Sequence, residues 1–270
     1  MFGLHIQFNA LNHKITKMMD RRRFVTSLRS SDVFIAAYPK SGTTWLAFLV
    51  ANVLKPNADE TLNLRNFVKY TPDINRLYRG NDSLVEFQGQ PDPRFFLVHA
   101  AADAALPKVV YVVRDPRDVM VSYWHYQKLV VPNFKQSIAD FIQSQLNQPY
   151  HWGRHVSGWL DRQNPRRLMF IRYEDMHQDT ELVLRQVLDF AGLTYTQKMI
   201  DHAVQAGQFS HMQAVDRKFG WEGAVNGRKG HFVRRGVAGA WQDELPESCA
   251  WAIEQAYAPV MERFNYKASR

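Results

Sequence analysis

Residues 33–54 read VFIAAYPKSGTTWLAFLVANVL and carry the clearest structural signal in the chain. The apolar run over 33–37 predicts a buried strand, and the stretch that follows Gly42 predicts a helix over 43–54. A strand, a tight loop and a helix N-terminus form a cradle for anions, because the N–H groups of the first helical turn are unpaired and the helix dipole favours negative charge. Gly42 lets the backbone approach a ligand closely, and Lys40 adds a positive charge. The stretch therefore predicts a phosphate-binding loop.

This loop differs from the common nucleoside-triphosphate loop, G-x-x-x-x-G-K-[ST]. If Gly42 is the second glycine of that pattern, Ala37 replaces the first glycine and Thr43 replaces the lysine. The lysine has moved upstream to position 40, and the hydroxyls of Thr43 and Thr44 follow the glycine. The pattern predicts a phosphate cradle that lacks the usual groups for a triphosphate and Mg²⁺. A strand-to-helix turn without a ligand is the alternative.

Net charge and composition limit the kinds of molecule that the protein can bind. The chain of 270 residues carries a formal net charge of +8, and 46% of its residues are hydrophobic. Nucleic acid, a membrane surface or a polyanionic small ligand would each suit that charge. Several basic residues lie in the phosphate motifs, which favours the small ligand, and we expect no nucleic-acid partner. A single cysteine excludes an internal disulfide framework, and no apolar run approaches a bilayer span, so we expect a cytoplasmic protein without an integral membrane segment.

Strand and helix patterns alternate along the chain. Short apolar runs predict strands at 33–37, 95–99, 109–113 and 168–172. Helical patterns are predicted over 43–54, 116–127, 134–146 with Asn133 as N-cap, 152–162, from Thr180 to Gly192, from Thr196 to Gly207, and from near Pro246, where Pro259 is expected to kink or end the last helix. The alternation predicts a single α/β domain over 1–270, with three layers and a central parallel sheet flanked by helices.

Two segments stand apart from this alternation. Residues 1–30 predict an N-terminal helix that caps the core, although its lack of acidic residues before Asp20 leaves a targeting or membrane-surface role open. Residues 220–239 are rich in glycine, arginine and lysine. Glycine at that density disfavours regular structure, so we expect a flexible basic flap that closes over an anion.

Four segments resemble the cytosolic-type sulfotransferase family. YPKSGTTW at 38–45 resembles its phosphosulfate loop, VYVVRDPRDVMVSY at 110–123 its 3′-phosphate segment, and RRGVAGAW at 234–241 its R-K-G-x-x-G-D-W motif. YEDM at 173–176 matches a weaker landmark. The resemblance implies transfer of a sulfuryl group from 3′-phosphoadenosine-5′-phosphosulfate (PAPS) to a hydroxyl or amine of a small molecule. Adenosine 3′,5′-bisphosphate would be released, and no metal would be required.

The resemblance also implies roles for individual residues. Lys40 would stabilise the leaving oxygen, and the N–H groups of the loop would hold the phosphosulfate. Trp45, Tyr173 and Phe209 would contact the adenine. The full set of implied nucleotide-binding residues is Lys40, Ser41, Gly42, Thr43, Thr44, Trp45, Arg114, Ser122, Tyr173, Phe209, Arg234, Arg235 and Gly236, in which Arg114, Ser122 and the 234–236 motif serve the 3′-phosphate.

His99 is the candidate general base. It ends the predicted strand 95–99, and a histidine at the carboxyl end of a parallel strand can take a proton near neutral pH. The family sequence K-T-H-L-P is replaced here by LVHAA at 97–101, so the lysine and the proline are missing. His125 and Glu86 are alternative bases.

Other departures affect affinity and assembly more than chemistry. Ala240 replaces the aspartate of G-D-W, Gln242 replaces the next lysine, and Gln208 replaces a common serine. The family's dimer signature is absent after Trp241, so a monomer or weak homodimer is expected. The competing functions are a nucleoside-triphosphate-dependent kinase and a nucleotide-binding relative without catalysis. The acceptor is expected to be a hydroxylated apolar or aromatic small molecule.

Overall fold

A parallel sheet of four strands occupies the centre of the molecule. The structure is a computed structural model that describes residues 26–55, 60–74, 89–162, 164, 166–221 and 231–269. The strands are β1 (Val33–Ala36), β2 (Phe95–Val98), β3 (Lys108–Val113) and β4 (Leu168–Arg172). They lie in the order β2-β1-β3-β4, and every neighbouring pair is parallel. All four predicted strands are confirmed within one residue at each end.

The strands are apolar because both faces of the sheet are covered. Val33 and Ile35 pack into one buried cluster, whereas Phe34 and Ala36 pack into the other. This alternation follows from the two-residue period of a strand. The three-layer α/β domain is therefore confirmed, with a hydrophobic core on each side of the sheet.

Helices form the two outer layers. Those of the described part are α1 (Thr43–Leu54), α2 (Pro116–Val130), α3 (Ile138–Leu146), α4 (Trp152–Leu160), α5 (Tyr173–Gln178), α6 (Thr180–Ala191), α7 (Gln197–Ala206), α8 (Phe209–Phe219), α9 (Trp241–Glu244) and α10 (Glu247–Arg263). The core cluster on one face includes residues of α1, α6 and α7, and the cluster on the other includes residues of α2, α3, α4 and α10. Within the described ranges, no helix combines the length and apolar character that crossing a bilayer requires.

Several predicted helix boundaries differ from the structure by two residues or more. The third helix begins at Ile138 instead of 134, because Ser137 and not Asn133 is its N-cap: the Ser137 hydroxyl accepts the N–H of Asp140 at 3.1 Å. Asn133 has a left-handed backbone with φ 56°. Pro259 does not end α10, which continues to Arg263. Pro259 lies on the exposed side of the helix, where water can satisfy the carbonyl that its missing N–H leaves unpaired.

Three helices near the site were not predicted: α5, α8 and the short α9. Helix α5 follows β4 without a loop, and α8 begins at Phe209 after Gln208, a residue that does not cap the helix with its side chain. The buried positions Met212 and Val215 of α8 have helical spacing, and that signal could have revealed it.

Several predictions fall outside the described residues. They concern the N-terminal cap over 1–25, the alternative base Glu86 and the middle of the 220–239 segment.

A buried ion pair offers a test of how the start of the sheet is held. Two nitrogens of Arg94 donate to the carboxylate of Asp32 at 2.8 and 2.6 Å, and Asp32 is fully buried. Asp32→Ala is expected to lower the free energy of unfolding by about 3–5 kcal/mol, because the Arg94 charge stays buried after this carboxylate is removed. Urea denaturation of the two proteins at one pH measures the difference.

Asp92→Ala is the matched control. Asp92 also pairs with an arginine, Arg29, at 2.6 Å, but its side chain is 57% exposed. A far smaller loss is expected, because solvent screens an exposed pair. Equal losses in the two variants would contradict the role given to the buried pair.

Candidate active site

The carboxyl ends of the four strands bring together the residues that the sequence singled out. The loop with Lys40 follows β1, His99 follows β2, Arg114 follows β3 and Tyr173 follows β4. Because β2 and β3 flank β1 on opposite sides, the chain reverses its direction of travel across the sheet there. Ligands of open α/β sheets bind at such a switch point, beyond the carboxyl ends of the strands.

Gly42 shapes the loop between β1 and α1. Its φ is +103°, a left-handed conformation, and a Cβ there would lie 2.4 Å from Cδ2 of Tyr173. No other residue fits that position without moving the tyrosine ring. Gly42 is therefore required both by the turn and by the close packing of β1's loop against the start of α5.

The loop presents several unpaired hydrogen-bond donors. Within the described part of the chain, the backbone N–H groups of Gly42, Thr43 and Thr44 donate to no protein group, whereas the next N–H in α1 already bonds to the Gly42 carbonyl at 3.0 Å. The hydroxyl of Ser41 is buried and also has no partner among the described residues. Buried polar groups are almost always hydrogen-bonded, so this set of donors fits an anionic ligand with several oxygens.

Arg114 lies beside this loop at the end of β3. Its terminal nitrogens donate to the carbonyls of Lys40 at 3.4 Å and Val237 at 3.2 Å, and one lies 3.7 Å from Asp118. The guanidinium stacks 4.1 Å above the ring of Tyr173. Its Nε has no partner among the described residues. Arg114 is thus held rigidly with one donor unused, as a second anion contact requires.

Helix α2 turns one face toward the 234–241 segment. Asp118 accepts the N–H groups of Gly239 at 2.7 Å and Trp241 at 2.9 Å, which fixes the end of that segment. Ser122 lies one turn further along the same face and His125 one turn beyond it. Ser122 is half-buried and makes no hydrogen bond within the described ranges. The structure therefore places Ser122 between two residues that contact the 234–244 region.

The two arginines of the 234–236 motif are engaged with carboxylates. Arg234 donates to Glu244 at 2.6 Å, and Arg235 donates to Glu244 at 3.1 Å and to Asp243 at 2.7 Å. Burial alone would raise the pKa of Glu244, but hydrogen bonds from Arg234 and His125 lower it to about 2. An anion would have to compete with these carboxylates to reach the arginines. Glu244 was not singled out from the sequence, since its role depends on the folding back of α9.

Aromatic rings line the side of the loop that faces α5. Trp45 meets the ring of Tyr173 edge-on at 5.7 Å and the ring of His177 at 4.7 Å. The Trp45 indole N–H donates to the Gly207 carbonyl at 2.9 Å, which ties it to the residues just before Phe209. His177 was missed in the sequence, although it lies one helical turn after Tyr173 and so shares its face.

Phe209 lies against the 234–236 motif. A Cβ on Gly236 would be only 2.1 Å from Cδ2 of the Phe209 ring, and Gly236 has a left-handed φ of +58°. Glycine at 236 thus permits this aromatic contact. No contact between Phe209 and Trp45 is present, so the two rings predicted to enclose an adenine are connected through Gly207 and not directly.

His99 has a defined tautomer. Its Nδ1 lies 3.0 Å from the carbonyl oxygen of Ala37, and a carbonyl can only accept, so Nδ1 carries the proton. In the neutral ring Nε2 is then the free base. The alternative base, His125, has its Nε2 2.6 Å from Glu244, which leaves that nitrogen occupied as a donor.

The buried side chain of His155 forms a hydrogen bond with the backbone of His99. His155 Nε2 donates to the His99 carbonyl at 3.3 Å, and its Nδ1 accepts the hydroxyl proton of Tyr111 at 2.8 Å. Burial lowers the pKa of His155 to about 4, so it stays neutral and holds this arrangement through the physiological range.

Known proteins resemble most of this chain. The family described as the sulfotransferase domain matches residues 30–265. Human sulfotransferase 2B1 is 28% identical over 251 residues, which cover 87% of this chain and 67% of its own. Mouse sulfotransferase 1E1 is 28% identical over 260 residues, covering 88% and 86%. Rabbit amine sulfotransferase is 24% identical over 287 residues, covering 98% and 91%.

Solved structures share the fold. Retinol dehydratase in a complex with retinol and PAP has a TM-score of 0.66 at 23% identity, over 87% of this chain and 82% of its own. A mouse sulfotransferase complexed with PAP has a TM-score of 0.65 at 23% identity, over 87% and 84%. Since the family match itself spans most of the sequence, the protein belongs to the sulfotransferase family and is a sulfotransferase.

Proposed function

We propose that this sulfotransferase binds PAPS at the carboxyl ends of its strands and transfers the sulfuryl group to a hydroxyl of a small apolar acceptor. One observation carries the proposal. Lys40, Arg114 and His99 follow three adjacent strands, and the loop among them holds buried donors with no protein partner in the described part. That set can bind an anion and accept a proton in one crevice.

The loop residues would hold the phosphosulfate end of the nucleotide. When bound, PAPS supplies an activated sulfuryl group whose leaving group is a phosphate oxygen. The N–H groups of Gly42, Thr43 and Thr44 and the Ser41 hydroxyl donate to its oxygens, and Lys40 offsets the negative charge that develops on the leaving oxygen. Because the backbone fixes these donors beforehand, little reorganisation is needed at the moment of transfer.

The 3′-phosphate would be held by Arg114 and Ser122. The unused Nε of Arg114 and the unbonded hydroxyl of Ser122 support this role. Arg234 and Arg235 would join them by exchanging Glu244 for the phosphate. An exchange of this kind favours the dianion, since a phosphate offers more charge and more acceptor oxygens than one carboxylate.

His99 would take the acceptor's proton. Its Nε2 carries the free lone pair because Nδ1 donates to Ala37. Removal of the proton during attack makes the acceptor oxygen a stronger nucleophile. The alternative base His125 is less suitable because Glu244 engages its Nε2.

The acceptor class is proposed from the relatives and from the aromatic character of the site. Structures of retinol dehydratase contain retinol in one case and androsterone in another, both apolar alcohols. The rings of Tyr126 and Phe232 lie beside Lys40, Trp221 packs against both of them, and this aromatic group would suit such an acceptor. A kinase is not favoured, because the loop lacks the lysine that follows the second glycine in triphosphate loops.

Transfer of label from ³⁵S-PAPS to a panel of phenols, steroids, lipid alcohols and sugars tests the proposal. We expect labelled product with at least one apolar alcohol or phenol and none with sugars. Label that remains with the nucleotide across the whole panel, or phosphoryl transfer from γ-labelled ATP, would contradict it.

Arg114→Ala should separate the two phosphate sites. It is expected to weaken the binding of adenosine 3′,5′-bisphosphate by about 2–3 kcal/mol, because a charge-assisted contact is lost. The binding of adenosine 5′-phosphate should be nearly unchanged. Isothermal titration of both nucleotides against both proteins gives the comparison. An equal loss of affinity for the two nucleotides would show that Arg114 acts structurally, through its contacts with Tyr173 and Asp118.

A further inference from the structure

The ammonium group of Lys40 lies between two aromatic rings. Its Nζ is 4.3 Å from the centre of the Tyr126 ring and 4.0 Å from the centre of the Phe232 ring. Tyr126 belongs to α2, whereas Phe232 lies in the segment that leads to the 234–236 motif. Three parts of the chain that are distant in sequence therefore meet at one charge.

A third ring supports these two. Trp221, which follows α8, stacks on Phe232 with ring centres 5.2 Å apart and an angle of 22°. It also meets Tyr126 at 5.5 Å with an angle of 64°. Tyr126 and Phe232 are themselves in edge contact at 6.5 Å. Each ring thus touches the other two, so the position of each is fixed by its neighbours and not by Lys40 alone.

The Lys40 ammonium is in contact with aromatic rings and not with a carboxylate. No carboxylate lies within salt-bridge distance of Lys40 in the described part of the chain. Burial, with a smaller contribution from Arg114, lowers the pKa of Lys40 to about 7. A cation enclosed by aromatic faces and removed from water is attracted by both ring quadrupoles. Unlike a carboxylate, the rings leave the charge uncancelled and available to an anion.

We propose that Tyr126 and Phe232 form an aromatic clamp that positions the Lys40 ammonium for sulfuryl transfer. This inference rests on the role proposed above for Lys40. A lysine side chain loses rotamer entropy when it is ordered, and the clamp orders Lys40 before the nucleotide binds. Phe232 lies two residues before Arg234, so one short segment supplies both a ring of the clamp and the 234–236 motif. Tyr126 and Phe232 act as positioning residues, because they work through Lys40.

Nuclear magnetic resonance of the full chain labelled with ¹³C at lysine Cε tests the clamp without reference to activity. Ring currents should shift the Lys40 Hε resonance far upfield of the other lysines, with the assignment made by Lys40→Met. Phe232→Leu should reduce the upfield shift to what the Tyr126 ring alone produces, and Phe232→Tyr should retain the full shift. Phe219→Leu is the matched control, since Phe219 contacts the surface residue Lys218 at 5.0 Å. An ordinary Lys40 shift in the wild type would overturn the clamp.

A double-mutant cycle on turnover tests positioning against a merely structural role. Phe232→Leu is expected to lower kcat roughly tenfold, with the KM for PAPS changed less than threefold. In the Lys40→Met background the same substitution should have a much smaller effect, because the clamp then has no ammonium to position and only the contact of Phe232 with the acceptor is lost. Equal effects in both backgrounds would overturn the proposal. If no sulfuryl transfer is detected at all, the proposed function fails while the resonance shift still decides the clamp; Tyr126→Leu serves both measurements if Phe232→Leu does not fold.

Discussion

His99→Ala is expected to lower turnover about 10²–10⁴-fold, the usual contribution of a positioned general base. The affinity for adenosine 3′,5′-bisphosphate should stay within a few-fold of the wild type, because His99 lies at the end of β2 and not in the phosphate loop. Steady-state rates with ³⁵S-PAPS and a saturating acceptor measure turnover, and titration calorimetry with the bisphosphate measures the affinity.

His125→Ala is the matched comparison, since His125 is the competing base. It should lose much less turnover, because its Nε2 is engaged with Glu244. His155→Ala is not a suitable control, since His155 holds the backbone of His99. Near-normal turnover in His99→Ala would show that another group takes the proton.

Lys40→Met is expected to lower turnover about 10²–10³-fold, as does loss of a single preorganised donor to a developing oxyanion. Bisphosphate affinity should fall as well, because the lost charge contacts the nucleotide in both its ground and transition states. This joint loss distinguishes Lys40 from His99. A variant with unchanged affinity and turnover would remove Lys40 from the site.

The low pKa of Lys40 gives the wild type a pH signature. In the free protein this pKa is about 7, and a bound anion must raise it. Below pH 7 Lys40 is already charged, so it adds no pH dependence to binding. Above pH 7 bisphosphate binding must take up a proton, and the affinity should fall up to about tenfold per pH unit. Titration calorimetry at pH 8 in buffers of different ionisation enthalpy measures this uptake, which Lys40→Met should abolish.

The sheet could be predicted well because its strands are short, apolar and buried on both faces. The apolar runs at 33–37, 95–99, 109–113 and 168–172 are separated by helical patterns. Such short runs between helices are typical of the buried strands of a parallel sheet. The order β2-β1-β3-β4 was not derivable in the same way, since it depends on which strands pair across the sheet. Boundaries failed where local capping decided them, as at Ser137.

The phosphate loop was predictable because its chemistry is local in sequence. Lys40, Gly42 and the two threonines lie within five residues, and the backbone donors follow from the helix N-terminus. Arg114 and His99 were predictable for a related reason: each directly follows an apolar strand.

Contacts between distant segments could not be read from the sequence. Glu244 binds Arg234, Arg235 and His125 only because α9 folds back over α2. The enclosure of Lys40 needs the end of α8 and the 231–239 segment in place. Such pairings depend on tertiary packing and leave no periodic signal along the chain.

The most direct test of the nucleotide site is thermal unfolding of the wild type with adenosine 3′,5′-bisphosphate and, separately, with ATP–Mg²⁺. At 100 times its dissociation constant a ligand stabilises the folded state by about 2.7 kcal/mol, so a specific nucleotide should raise the midpoint by several degrees. We expect a large rise with the bisphosphate and little with ATP–Mg²⁺. Equal or greater stabilisation by ATP–Mg²⁺ would contradict it.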